Sequence, residues 1–122
     1  MELKIIDGEF AVCKVADFSQ VDLTDEFIFV SKTDEENSLV CLSDRVPENV
    51  IITDTAWRAF RICGTLDFSL IGILAEISAS LAKSKIGIFA VSTYNTDYIF
   101  TKSAHFSRAI DALRENGYSI SG

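Results

Sequence analysis

Residues 66–97 read LDFSLIGILAEISASLAKSKIGIFAVSTYNTD, and the reading of the fold starts from them. Leu70, Ile73, Leu74, Ile77 and Leu81 recur at helical spacing, which predicts an amphipathic helix over 70–84. Asp67 or Ser69 stands where a cap is expected. Ile86–Ser92 is then an unbroken apolar run of strand length, suited to a sheet centre. Two polar turns flank this helix and strand. If the two pack as neighbours, the turns approach each other.

Outward from this stretch the pattern continues. Trp57–Cys63 alternates, with Arg58, Phe60 and Ile62 on one face of a strand. Asp97–Lys102 (DYIFTK) is a further strand. Ser103 is the expected N-cap of a helix whose inner face is Phe106, Ala109, Ile110 and Leu113. Gly117 stands at the expected C′ position, and Tyr118–Ser121 closes the pattern as a strand. The order is β-α-β-β-α-β, the ferredoxin-like split unit.

The first half repeats the strand rhythm with little helix. Leu3–Ile6 and Glu9–Val15 flank Asp7-Gly8, a hairpin signal. Glu26–Lys32 and Ser38–Ser43 predict a second hairpin around the acidic turn Thr33–Asn37. Val50–Thr53 reads as one more short strand. The helical positions, Ala16–Gln20 and Asp44–Glu48, are short. The expectation is an α+β chain of two lobes, 1–56 and 57–122. Each has an antiparallel sheet with helices on one face, the N-terminal lobe being a degenerate copy.

Composition narrows the function. Hydrophobic residues make up 48% of the 122, enough for a real core. The net charge of −7 comes without a basic cluster, so no nucleic-acid partner is expected. No run approaches a membrane span and no leader is apparent, so a cytoplasmic protein without membrane association is expected. Cys13, Cys41 and Cys63 lack metal-ligand spacing and read as buried hydrophobes in a reducing compartment. His105 reads as a surface residue. Phosphate-binding and hydrolase motifs are missing, and Gly64–Ser69 carries an aspartate and no arginine. Neither a catalytic residue, nor a metal, nor a cofactor is expected.

Gly72, the Ile86-Gly87-Ile88 strand start, and Ser92-Thr93-Tyr94 with Asp97 occur in an order that resembles the ACT domain family. The likeness covers nearly all of 57–122 and extends more weakly over GEFAVCKV and EFIFVSKTDEENSLVCL in 1–56. It is nearest to small stand-alone tandem ACT proteins, to the ACT domains of aspartate kinases, and to those of the animal cytosolic arginine sensor. The resemblance implies a regulatory module that binds a small effector, an amino acid, at an interface between two domains. It implies ligand contacts at Ile71, Gly72, Ile73, Thr93, Tyr94 and Asp97.

The chemistry suits a zwitterion. A helix N-terminus offers free N–H groups to a carboxylate. Gly72 leaves room for its approach. Asp97 is an anion for an ammonium, and Ser92 and Thr93 add hydrogen-bonding hydroxyls. Each residue also has a structural reading: Gly72 for close packing, Asp97 as a turn former. The rival expectation is a ligand-free oligomerisation or protein-interaction module using sheet edges, with a homodimer formed through edges or helices.

Overall fold

The computed structural model describes residues 1–63 and 72–122. They form strands β1 (Glu2–Val15), β2 (Phe29–Lys32), β3 (Asn37–Leu42) and β4 (Val50–Ile62), then helix α1 (Ile73–Lys83). Strands β5 (Ile88–Ser92) and β6 (Asp97–Lys102), helix α2 (Ser103–Glu115) and strand β7 (Ser119–Ser121) complete the order. Between β3 and β4 lies a single 3-10 turn, Ser43–Arg45. The fold is α+β; β1 with β3, β2 with β3 and β5 with β6 pair antiparallel, while β1 and β7 run parallel.

The chain divides into two compact units, one of Met1–Asp7 with Arg58–Gly122, the other of Gly8–Trp57. In the first unit the strand order is β7-β1-β4-β6-β5. Its β4-α1-β5-β6-α2-β7 succession is the βαββαβ order expected from sequence. The addition is the start of β1, which lies next to β7: Glu2, Leu3 and Lys4 pair with Ser119, Ile120 and Ser121. Leu3 is fully buried there among Phe60, Ile62, Ile77, Leu81, Ile99, Phe106, Ala109, Ile110 and Leu113. Each such side chain removed from water contributes about 1.5–3 kcal/mol. All four residues assigned by periodicity to the inner face of α2 are buried.

Both helices end in the same hydrogen-bonding pattern. In α2, Gly117 N–H donates to Arg114 O and Tyr118 N–H to Leu113 O, with Gly117 at φ 94°. In α1, Lys85 N–H donates to Ala82 O and Ile86 N–H to Leu81 O, with Lys85 at φ 59°. This is the Schellman motif, whose left-handed residue favours glycine. A side chain at that conformation costs roughly 1 kcal/mol or more. Lys85→Gly is therefore expected to stabilise the protein by about 1 kcal/mol, read as a higher urea midpoint at unchanged slope. An unchanged or lower midpoint would contradict this account of the cap.

One expected turn and one expected strand break are corrected. Asp7-Gly8 does not reverse the chain: β1 runs straight through it, with Gly8 at φ 95° inside the strand. The two apolar runs pair elsewhere, Glu2–Lys4 with β7 and Phe10–Val15 with β3, so they do not need each other. Likewise, the runs expected as separate strands at 50–53 and 57–63 are one strand, β4, which absorbs its irregularity at Ala56, φ 65°.

In the unit Gly8–Trp57 the strand order is β2-β3-β1-β4. Its core is Ala11, Cys13, Val15, Leu39 and Cys41. Where a helix would lie after β1, a non-helical loop packs Phe18, Val21 and Ile28 on that core. Asp17 Oδ1 accepts from the Ser19 N–H (3.0 Å) and hydroxyl (2.5 Å), and Asp22 Oδ1 from the Thr24 N–H (3.0 Å) and hydroxyl (2.6 Å). Such side-chain bonds compete with helix formation. Arg45 clamps the loop, its Nε and Nη2 donating to Asp25 at 2.8 and 2.6 Å.

The cysteines are free; Cys13 and Cys41 are buried. Burial, and then the neighbouring Cys13, push the Cys41 thiol up to about 12, from an ordinary 9.0. The unfolded chain would lose that proton near pH 9. Stability from this group is thus intact below pH 9 and falls as pH rises towards 12. A thiol reagent at pH 8 should leave Cys41 unmodified in the folded protein and label it in urea; rapid labelling of the native state would contradict this burial.

Candidate functional site

The turn Thr93–Thr96 connects β5 to β6. Thr93 N–H donates to Thr96 O at 2.8 Å, and the Thr93 hydroxyl donates to the same oxygen at 2.9 Å. Thr96 N–H returns to Thr93 Oγ1 at 3.3 Å. Below the turn, the Ser92 hydroxyl donates to Asp97 Oδ1 at 2.5 Å. The strands are held in register by a cross-strand ring pair, Phe89 and Phe100, stacked 4.5 Å apart. Such a pair adds about 0.5–1.5 kcal/mol beyond its area. Ser92, Thr93 and Asp97 are therefore brought together, and their hydroxyls are already used in the turn. Tyr94 stands at its tip with 90% of its surface exposed, so it is not a pocket wall within this unit.

Gly72 and Ile73 lie together at the start of α1. Gly72 holds φ 93° in the N-cap position, where only glycine is unstrained. Its carbonyl accepts the Glu76 N–H at 2.8 Å. A Cβ built on Gly72 meets nothing within 4 Å among the described residues. The N–H groups of Ile73, Leu74 and Ala75 fall in the first turn, where a helix has no acceptor of its own. Ile71, and the candidate caps Asp67 and Ser69, lie outside the described residues.

Thr96 is a residue that sequence reading passed over. It is 7% exposed, and its hydroxyl donates to the Ile62 carbonyl at 2.7 Å. That bond fastens the β5–β6 turn to the end of β4, the strand that leads towards α1. A threonine between Asn95 and Asp97 looks like an ordinary turn residue, and nothing in the sequence marks it as buried.

Elsewhere in this unit, Arg61 Nη1 donates to Tyr98 OH at 3.1 Å, and the Arg58 guanidinium lies 4.6 Å over the Phe106 ring. His105 is exposed, with Nδ1 3.3 Å from Arg108. Among the described residues, no group of three or more His, Cys, Asp or Glu could hold a metal ion. No helix among them is long and apolar enough to cross a membrane.

The order β4-α1-β5-β6-α2-β7 and the glycine-led first helix define a small α+β module of the ferredoxin-like class. A family model described as the ACT domain matches residues 52–115. The chain belongs to the ACT domain family. Among solved structures it is similar to protein Atu0741 from Agobacterium tumefaciens, at 32% identity and TM-score 0.86, covering 98% of this chain and 90% of that one. It also resembles, in fold, the regulatory subunit of aspartate kinase from Thermus thermophilus in its ligand-free form. The identity there is 10% and the TM-score 0.63, covering 94% of this chain and 96% of that one. Aspartate kinase from Clostridium acetobutylicum matches at 13% identity and TM-score 0.68, covering 92% of this chain and 32% of the enzyme. No curated protein sequence matches the chain.

Proposed function

We propose that the protein is a non-catalytic regulatory sensor built of two ACT-type lobes, binding one small effector, an amino acid, per chain. The effector carboxylate sits on the N–H groups at the start of α1 beside Ile71, Gly72 and Ile73. Its ammonium meets Asp97, and Ser92 and Thr93 border it from the turn, with Tyr94 reaching it only across an interface with a second domain. The observation that carries this reading is Gly72: a left-handed glycine at a helix start, where a Cβ would meet none of the described residues. The family match supports a ligand-binding regulatory role.

The tandem reading rests on the two hairpins. Thr33 repeats the bonds of Thr93: its N–H donates to Glu36 O at 3.0 Å, and Oγ1 accepts the Glu36 N–H at 3.2 Å. Asn37–Leu42 and Asp97–Lys102 share one burial pattern, and Ser43 and Ser103 each begin the helical turn that follows. The unit Gly8–Trp57 has no helix after β1, so it offers no matching N-terminus, and one site per chain is expected.

A thermal-shift panel of amino acids tests the reading. At [L] about 100 times Kd, stabilisation reaches about 2.7 kcal/mol. At least one amino acid at millimolar concentration should raise Tm, and Gly72→Val and Asp97→Ala should each abolish the shift. No stabilisation across the panel would overturn it. The engagement of Ser92, Thr93 and Asp97 within their own turn favours a second reading, a ligand-free interaction module using sheet edges. Light scattering would then show a dimer that no amino acid alters.

A further inference from the structure

A groove of about 290 Å³ runs along α1, lined by neither Gly72 nor the β5–β6 turn. Glu76, Ala79, Ser80 and Lys83 line it from α1, with Asn116 and Tyr118 opposite. Residues three, four and seven apart share one face of a helix. The small side chains, Ala79 and Ser80, fall in the middle of that stripe, and the two charged ones bound it. At 1.5 Å per residue, Glu76 and Lys83 are about 10 Å apart along the axis.

A solvated salt-bridged face would pair these charges along the helix. Here that pairing is missing: the residues three and four from Glu76 are Gly72, Ile73, Ala79 and Ser80, and those on either side of Lys83 are Ala79, Ser80, Ile86 and Gly87. The opposite wall is fixed instead. Asn116 Nδ2 donates to Ser80 Oγ at 2.7 Å and to Ala112 O at 2.9 Å. That uses both amide protons and leaves Oδ1 as an acceptor. Ser80, accepting from Asn116, keeps its own proton to donate. Tyr118 OH donates to Glu76 Oε2 at 3.4 Å, leaving its lone pairs open. Burial and the Glu76 carboxylate raise the phenol above its ordinary value, so it stays a donor at neutral pH.

We propose that this groove binds a linear zwitterion of dipeptide length. Its ammonium sits on Glu76 and Tyr118, and its carboxylate on Lys83. The carbonyl of the central amide accepts the Ser80 hydroxyl, next to the Asn116 side chain. A single α-amino acid is too short to reach both charged ends. The site is thus separate from the effector site proposed above and stands without it.

Titration of the ¹⁵N-labelled protein with glycylglycine tests the assignment. Saturable shifts are expected at the Asn116 side-chain amide, with Kd on the order of millimolar. Glu76→Gln and Lys83→Gln, both at exposed positions, should each weaken binding about tenfold or more, as should N-acetylation of the probe. Glycine should leave Asn116 unmoved. The proposal is overturned if Asn116 shows no saturable shift, if glycine moves it equally, or if both variants and the acetylated probe bind as before.

Discussion

A fragment of residues 58–122 is expected to lack a cooperative unfolding transition, although it holds both helices, β5 to β7 and the end of β4. The reason is the opening strand. Leu3 is completely buried in the core that the fragment would otherwise own. The Glu2 carbonyl accepts the Cys63 N–H at 2.9 Å, and the Met1 carbonyl accepts the Ser119 N–H at 3.1 Å. Cutting at residue 58 removes Leu3 and leaves β7 without the partner it pairs with. In the whole chain, Leu3→Ala alone should cost about 2–5 kcal/mol, the range for a buried leucine that leaves a cavity. Against a total stability of about 5–15 kcal/mol, that is a large fraction. Urea denaturation followed by circular dichroism measures both. A fragment with a sharp transition, or a Leu3→Ala midpoint equal to wild type, would show that the first strand is dispensable.

Thr96→Val is expected to have the next largest effect, a loss of about 1–3 kcal/mol. The substitution keeps the shape and removes only the hydroxyl. Its target, the Ile62 carbonyl, is at the end of β4, and the bond is buried, so water does not easily replace it. The companion change Thr93→Val touches bonds within the turn alone and should cost less. Hydrogen exchange at residues 93–97 would localise the effect: faster exchange there in Thr96→Val, with α2 unchanged, is the expected result. Equal stability of the two variants would mean that the tie to β4 is not what holds the turn.

Much of the second half was legible because its periods are clean and mutually consistent. The α2 stripe of Phe106, Ala109, Ile110 and Leu113 is all buried, and Gly117 caps as its position suggests. Strand β6 has the boundaries read from DYIFTK. What escaped reading depends on partners distant in sequence. Asp7-Gly8 has the same letters in a hairpin as in a strand that continues through a positive φ; only the presence of β3 and β7 beside β1 decides. Ala56 carries a positive φ with no glycine to signal it. The missing helix after β1 is replaced by Asp17 and Asp22 turns that locally resemble helix caps.

The candidate site divides along similar lines. Gly72 could be singled out through the family resemblance alone, since the helical periodicity places it inside a helix starting at residue 70, whereas α1 starts at Ile73 with Gly72 in the N-cap position. The hydroxyls of Ser92 and Thr93 read as free from sequence and are committed to their own turn. Thr96 and the groove stripe were hidden because a polar side chain does not announce which neighbour it meets.

The placement of Leu3 also bears on how the chain is made. Synthesis proceeds from the N-terminus, so residues 1–7 emerge well before β7, and Glu2 finds its partner Ser119 only once β7 has been made. Residues 8–57 form a contiguous unit and can fold while translation continues. The opening segment must meanwhile stay available, with Leu3 uncovered, until β7 arrives. Contacts so distant in sequence are slow to form. The nascent chain therefore carries Leu3 as an exposed apolar side chain until β7 has been made.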